Sequence, residues 1–560
     1  MGCDVMEEKW DRVFDINVAV KVIKHISSGI YRTPGGAIKE LISNAFDAKA
    51  TIVHIDAKNS NFKEIRIWDN GIGMTEKIIN RSFELIGASI KVTSPEMFNG
   101  NVERPLIGQF GIGMLASAHI SHDIEIHTFP KGEDYGFQIL LDLRPYFEYV
   151  NQITSLEKFT YGSIRYRKIP RTSLDSGTTI TLKNINTKSD FYTNITKKCK
   201  KGPFVKWPKY TFPNEPEDNG DIMESFVKNI DLFNVTTIEQ LSGHEKLLWE
   251  LGMICPVNYL NNGPIENKYL DNDVKSLIDN LKKKIEKLNF KVYFDGIEVR
   301  KPLLLPTTKS RTLELDELDS ENSTGDIHAH PIHISDRTIK ESPILVEGYL
   351  FFQPYQLHPE EIRGLYPRLS FVGIDRYDNT LFKAIREGEK PLLRIMMSGE
   401  IYIHEGLDNA LNIDRSGFIE IDENYQRLHS HITEKIITIL KEIEIKKNER
   451  QKRRTKIKNK SHQQQMKIEL NKILKKIDKS YESYKVSIID FHDNKPDAID
   501  YVWSIIDHKN HAIYIDKDVD DKNLVVMIII ADHYLGTLPQ PENKRQDFSN
   551  KLHHLVKSKT

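Results

Sequence analysis

"KELISNAFDAKA", running from Lys39 to Ala50, is the stretch whose reading decides the fold. Its spacing predicts a helix. Leu41, Ile42, Ala45, Phe46 and Ala48 fall on one broad face, and Glu40, Asn44 and Asp47, at i, i+4 and i+7, on a narrow opposite stripe. Taken alone, that stripe reads either as the wet side of a surface helix or as a site, and the residues downstream must decide.

At 560 residues the chain is too long for one core, and three or four domains are expected. A net charge of -1 with 28% charged residues points to no partner by itself. Cys3, Cys199 and Cys255 are far apart and odd in number, which argues against a disulfide framework or zinc site and for a reducing cytosol. No apolar run approaches the length of a membrane span, and "MGCDVM" fits neither a secretory signal nor the usual myristoylation pattern. A cytoplasmic protein without a membrane partner is therefore expected.

Residues 1–190 alternate strand and helix signals: "TIVHIDA", "EIRIWD", "HDIEIHTF", "YGFQILLDL" and "GTTITLKNI" read as strands. This predicts an α/β domain with helices against a sheet. Residues 191–284 read as a mixed helical connecting segment. Residues 285–445 return to strands, beginning with "FKVYFDGIEV", and close with a helix from about Tyr425. A polar stretch at 306–343 reads as a long loop or hairpin excursion. A basic helical linker is expected over 446–484, and a small C-terminal domain over 485–560.

Two glycine turns follow the helix. "DNGIGM" (Asp69–Met74) ends the strand "EIRIW", with Gly71 and Gly73 making a tight turn and a carboxylate at its mouth. "GQFGIGM" (Gly108–Met114) opens a helical stretch, where backbone N–H groups and the helix dipole favour an anion. It is neither a Walker A loop nor a dinucleotide fingerprint. "GTTITL" (Gly177–Leu182) comes later. In this order the four elements resemble the GHKL ATPase superfamily, which includes gyrase, heat-shock protein 90, histidine kinases and MutL. "ELISNAFDA" looks most like the heat-shock protein 90 / HtpG chaperones, whereas the short link from "DAKA" into "TIVHIDA" is closer to MutL and MORC proteins. More thinly, "LFFQPYQL", "LSFVGIDRY" and "LRIMMSGEIYIHEGLDNALNIDRSGF" resemble the chaperones' middle domain. The resemblance implies an α+β chain: a GHKL (Bergerat) two-layer α/β sandwich, then a ribosomal S5 domain 2-like transducer, the basic linker and the small C-terminal segment.

The resemblance also implies ATP and Mg²⁺ and assigns roles. Glu40 would be the general base acting on water, and Asn44 would hold Mg²⁺. Asp47 and Ala48 would line the pocket. Asp69 would accept from the adenine amino group, with Gly71 at the turn, Gly73 and Met74 against the base, and Thr178 supporting Asp69 through its hydroxyl and a water. The backbone of Gly108, Gln109, Phe110, Gly111, Ile112 and Gly113 would cradle the phosphates. Residues 75–107 would hold the ATP lid, anchored at Gly87 and Ser89, with Lys91 either a phosphate contact or a surface lysine. From the second domain, Arg415 in "LNIDRSGF" would reach the γ-phosphate, with Arg363 and Arg368 as competitors and a local ion pair as the alternative.

Two features lie outside these roles. "HAHPIHI" (His328–Ile334) reads as a strand or loop with exposed histidines, since no Cys or paired carboxylate completes a metal site. The window 441–480 carries fifteen Lys/Arg against five Asp/Glu, and reads as a charged linking helix or a DNA or RNA contact without aromatics for base stacking. The function expected is a clamp that dimerises on ATP binding and acts on a protein or nucleic-acid client, in DNA maintenance or mobile-element defence. A heat-shock protein 90-like chaperone and a non-hydrolysing ATP switch are the alternatives. A signalling kinase is disfavoured, because only about 35 residues precede the Glu40 helix.

Overall fold

The computed structural model describes residues 34–84, 117, 120–144, 163–171, 176–214, 221–307, 327–374, 377–386, 389–407, 410–412, 417–477, 479–489, 491, 496, 498–501, 503–517 and 522–557. The chain divides into two compact units, Met1–Ile443 and Glu444–Thr560.

The first element described in the first unit is α1 (Pro34–Asp47). Strands β1 (Ile52–Asp56) and β2 (Ile65–Asp69) follow, then α2 (Glu76–Glu84), β3 (Asp123–Phe129), β4 (Tyr135–Asp142), β5 (Ser163–Pro170) and β6 (Gly177–Lys183). The connecting segment is helical: α3 (Asp190–Ile195), α4 (Ile222–Leu232), α5 (Gly243–Ile254) and α6 (Asn272–Lys287). A capping box between Ser242 and Glu245 starts α5, and Asp271 caps α6.

Next come β7 (Lys291–Phe294) and β8 (Ile297–Glu298). Sequence patterning puts this hairpin at the head of the second strand-rich segment. In the structure it finishes the first sheet instead, whose order is β5-β4-β3-β6-β2-β1-β7-β8. β7 runs parallel to β1, with Ile52 opposite Lys291 and Ile55 opposite Phe294. The physical cause is burial on both faces. Val292 and Phe294 are buried, Tyr293 stacks on His54 at 4.7 Å between centroids, and Phe290 meets Phe46 of α1 edge-on at 5.1 Å.

Asp295, at the tip of that hairpin, ties it down. One carboxylate oxygen accepts from the backbone N–H groups of Ala57 (2.9 Å) and Lys58 (3.1 Å) and from the Tyr210 hydroxyl (2.8 Å). The other lies 2.6 Å from His244 Nε2, and Trp207 stacks on that imidazole. Burial holds His244 below its usual range.

The second sheet has the order β12-β11-β13-β10-β9. Its strands are β9 (His328–Asp336), β10 (Ile344–Phe352), β11 (Gly364–Leu369), β12 (Val372–Gly373) and, after the short α7 (Pro391–Arg394), β13 (Met397–Glu405). The "HAHPIHI" histidines thus sit on a strand. Alternation sorts β10 and β13 between two cores. Val346, Leu350, Ile401 and Ile403 face a cluster that includes Leu428, Ile432, Ile436 and Ile443 of the long helix α8 (Glu423–Ile477). Tyr349, Phe351 and Tyr402 join the core of the first sheet.

In the second unit, Met466, Leu470 and Leu474 of α8 pack with a four-stranded sheet of order β14-β17-β16-β15. Its strands are β14 (Lys485–Ile489), β15 (Ile499–Asp500), β16 (Ser504–Asp507) and β17 (Ala512–Asp516). Helices α9 (Lys522–Gly536) and α10 (Pro541–Lys557) complete it. The segment read as a linker therefore ends inside a core.

Asp295→Ala would leave two backbone donors and the Tyr210 hydroxyl without their acceptor. It should destabilise the first unit by roughly 3 kcal/mol or more, seen as a lower urea midpoint for its unfolding. An unchanged midpoint would show that the hairpin is held by packing alone.

Candidate functional site

The site is built where α1 ends. Almost all of that helix is buried: Ile38, Leu41, Ile42 and Phe46 are core, and Asp47 is only 3% exposed. Its far end packs on α5, where Glu250 accepts from the Gly35 N–H at 3.2 Å. Glu40 and Asn44 are half-buried on the same helix, and the buried Lys39 places its ammonium 3.5 Å from Glu40 Oε1.

Below the C-terminus of α1 lies the turn after β2. The Ile72 N–H donates to the Ala48 carbonyl at 2.9 Å. A side chain at Gly71 would come within 2.7 Å of that carbonyl and 2.8 Å of Asp69 Oδ1, so only glycine lets helix and turn meet. Gly73 has φ +69°, and a Cβ there would strike the Phe129 carbonyl.

Asp69 ends β2 and is 6% exposed. It accepts from the Gly71 N–H at 2.8 Å. Burial pushes its carboxyl up to about 7, while the backbone N–H groups of Gly71 and Thr178 work against that by favouring the charged form. A carboxylate this dry, met only partly by backbone donors, fits a ligand bringing its own donor.

Thr178 pairs with Asp69 across β2 and β6. Its hydroxyl lies 3.0 Å from the Thr128 hydroxyl, and Thr128 Oγ1 accepts from the Met74 N–H at 2.8 Å. Sequence reasoning has Thr178 supporting Asp69 through its hydroxyl and a water; the structure adds its backbone N–H, which favours the charged form of Asp69. Thr128 and Asn70 were missed. Asn70 Oδ1 accepts from the N–H groups of Thr51 and Ile52 at 2.8 and 2.9 Å, locking the turn to the start of β1. An Asx residue beside the glycines could have signalled it; nothing local distinguishes Thr128 from any strand threonine.

The structure thus places Glu40, Asn44 and Asp47 along α1 and Ala48 just past it, and Asp69, Gly71, Gly73, Met74 and Thr178 on the turn and strand ends that meet the end of that helix. Gly87, Ser89, Lys91, the Gly108–Gly113 loop and Arg415 lie outside the described residues. Among the described residues no group of three His, Cys, Asp or Glu could hold a metal. An Mg²⁺ held by one amide oxygen and by phosphates needs no such group.

Of the competing arginines, Arg368 is fully buried, with Nε 2.6 Å from Glu400 Oε1. Arg363 gives its Nε to the Leu357 carbonyl at 2.9 Å.

Residues 31–151 match the family described as histidine kinase-, DNA gyrase B-, and HSP90-like ATPases. A putative type II restriction enzyme, HgiDII, from Herpetosiphon aurantiacus is 33% identical over 129 residues, 23% of this chain and 20% of that one. The chaperone protein HtpG of Sulfurovum sp. is 24% identical over 168 residues, covering 27% and 26% of the two chains. The DNA mismatch repair protein MutL of Parabacteroides distasonis is 28% identical over 116 residues, covering 20% and 18%. The chain thus spans about a quarter or less of the length of these relatives. The N-terminal part of the chain is a GHKL ATPase domain in an α+β fold. No helix among the described residues is long and apolar enough to cross a membrane.

The raised Asp69 carboxyl makes stability depend on pH. The folded chain holds a proton here that the unfolded chain has lost above its ordinary value of 3.8. Stability from this group is complete below that value and is lost as pH rises through about 7. Thermal melts between about pH 5 and pH 8 should show the wild type weakening relative to Asp69→Asn as pH rises. Parallel curves would place Asp69 in water.

Proposed function

We propose that the chain binds and hydrolyses ATP with Mg²⁺, and works as a clamp whose two copies close together on ATP binding. The observation that carries this reading is the dry carboxylate of Asp69 on the turn that meets the end of α1, the helix that carries Glu40 and Asn44. In this reading Asp69 accepts from the adenine amino group, and the flat faces of Gly71 and Gly73 let the base come close. Asn44 supplies an amide oxygen to Mg²⁺, and that ion would neutralise the phosphates. Glu40 orients and deprotonates the attacking water, with the Lys39 ammonium fixing its carboxylate from the buried side. The glycine loop at 108–113 receives the phosphates at a helix N-terminus.

Charge builds on the γ-phosphate during transfer, and a cation from the second half of the chain would stabilise it only when that half is docked. Arg368 is a poor candidate because it is committed to Glu400 in a buried pair. Arg415 is the residue proposed, with Arg363 second. Closure of such a clamp around a client would couple hydrolysis to holding and release.

Glu40→Ala should bind ATP near wild-type affinity and hydrolyse it roughly 10²–10⁴-fold more slowly, while Asp69→Asn should lose binding in isothermal titration. Wild-type turnover in the first variant would remove Glu40 from the chemistry. Undiminished titration in the second would remove Asp69 from the pocket.

Arg415→Ala should keep ATP affinity within a few-fold and lower turnover well below wild type, with Arg415→Lys rescuing only in part. If Arg363→Ala alone is slow, the coupling stands with a different residue. If both are normal, hydrolysis does not need the second half. Arg368→Ala is a poor probe, since it would leave Glu400 buried and unpaired.

A further inference from the structure

The ATPase reading leaves the basic segment of α8 unused. Among the described residues, Ile443 is the last that this helix gives to the core around the second sheet, and Met466 the first that it gives to the core of the second unit. Between them, Ile445, Lys446, Asn448, Glu449, Lys452, Gln464 and Gln465 are exposed, Ile445 at 59%. At 1.5 Å per residue the helix between Ile443 and Met466 runs for about 33 Å.

Its charges are not those of a self-sufficient solvated rod. Such rods alternate sign, so that i,i+4 pairs support the helix. Here nine Lys/Arg stand against two Glu, and both glutamates, Glu444 and Glu449, sit at the N-terminal end. From Arg450 to Ile468 no acidic residue occurs. The i,i+4 pairs Arg450/Arg454, Lys452/Lys456 and Lys456/Lys460 are all like-charged. Each costs roughly 0.2–0.5 kcal/mol in an isolated helix. A chain with 80 acidic residues to set against 79 basic ones gains nothing from this arrangement unless something else brings the counter-charge.

The shape of the charge narrows what that is. At 100° per residue the nine cations spread over an arc of about 240°. They leave the remaining third of the circumference, roughly 120°, free of cations, through Asn448, Gln451, Thr455, Asn459 and His462. A flat anionic surface, a membrane or an acidic protein face, meets little more than half of a helix. Phosphates on two sides meet more. The major groove of B-form DNA is about 12 Å wide, admits an α-helix and puts a phosphate wall on each flank. The A-form major groove of duplex RNA is too narrow for this. The segment has no Phe, Tyr or Trp, so a stacking platform for single strands is not built.

We propose that residues 446–460 of α8 bind double-stranded DNA through its phosphates, without reading sequence, the helix lying along the major groove. This binding needs neither ATP nor Glu40, and it stands or falls apart from the clamp reading.

The test uses the full chain without nucleotide and fluorescence anisotropy with a random-sequence DNA duplex, an RNA duplex of the same length, a single strand and phosphatidylserine vesicles. The wild type should retain the DNA duplex at about 50 mM salt and prefer it to the other three, with affinity falling steeply as salt rises. A variant carrying Arg450→Gln, Arg453→Gln, Arg454→Gln, Lys456→Gln and Lys458→Gln keeps good helix formers at every position. It should bind at least tenfold more weakly, and its log–log salt slope should shrink by about 0.9 for each phosphate that is no longer neutralised. Unchanged circular dichroism and unchanged ATP titration in that variant show that it is folded. No retention by the wild type, equal or better binding of RNA, single strands or vesicles, or an undiminished variant would each overturn the proposal.

Discussion

A carboxylate shut away from water at the end of β2 sets the terms for the site around it. Burying a charge is expensive unless donors replace the lost water. Among the described residues, two backbone N–H groups replace it for Asp69, and burial still raises its carboxyl to about 7. One of those donors belongs to Gly71, which holds its position because α1 ends on the same turn: the Ala48 carbonyl takes the Ile72 N–H and leaves no room for a side chain at 71. The other belongs to Thr178, which β6 brings opposite Asp69. The helix, the D-x-G-x-G turn and the G-T-T strand are therefore three parts of one arrangement that keeps a single acid dry.

A second buried arrangement joins the two sheets of the first unit. Arg368 of β11 pairs with Glu400 of β13, and Tyr349 donates to the same carboxylate at 3.0 Å. Tyr259, from the connecting segment, also donates to Glu400, and Lys301, just past β8, reaches the Tyr402 hydroxyl at 2.8 Å. Burial alone would raise the Glu400 carboxyl, but Arg368 and Lys301 outweigh it and hold it low; burial pushes the Lys301 ammonium well down. Buried pairs of this kind add little net stability, yet losing one partner is costly. Their effect here is to fix register between elements far apart in sequence. It also gives a physical reason why the strands from 291 to 298 and those from 328 to 405 belong to one unit with the ATPase domain.

Much of this was legible in the sequence, and the boundary has physical causes. The helix, five of the six strands β1–β6 and the residues Asp69, Gly71 and Gly73 are written in local periodicity and in glycines that nothing else can replace, whereas β5 (Ser163–Pro170) was not anticipated. The β7–β8 hairpin was misplaced because its partner is β1, more than 230 residues earlier, and parallel pairing leaves no turn signature. Asp295 reads as an ordinary turn aspartate in "FDGI" until Ala57, Lys58, Tyr210 and His244 are found around it. Arg368 carries no mark that separates a locked ion pair from a free phosphate contact; only its burial against Glu400 does.

Those limits return to the stripe of α1. A surface helix keeps its charged side chains in water and buries only its apolar face. Here Asp47 is 3% exposed, Lys39 is 7% exposed and Glu40 is half-buried against Lys39. Packing on α5 covers one side and the Asp69 turn closes the C-terminal end. Ionisable groups cost free energy in such a place and contribute little packing that Leu or Ala could not supply. Their presence on three turns of a helix that could have been apolar throughout is the mark of a surface shaped for a ligand, and it favours the catalytic reading of Glu40 over the solvated one.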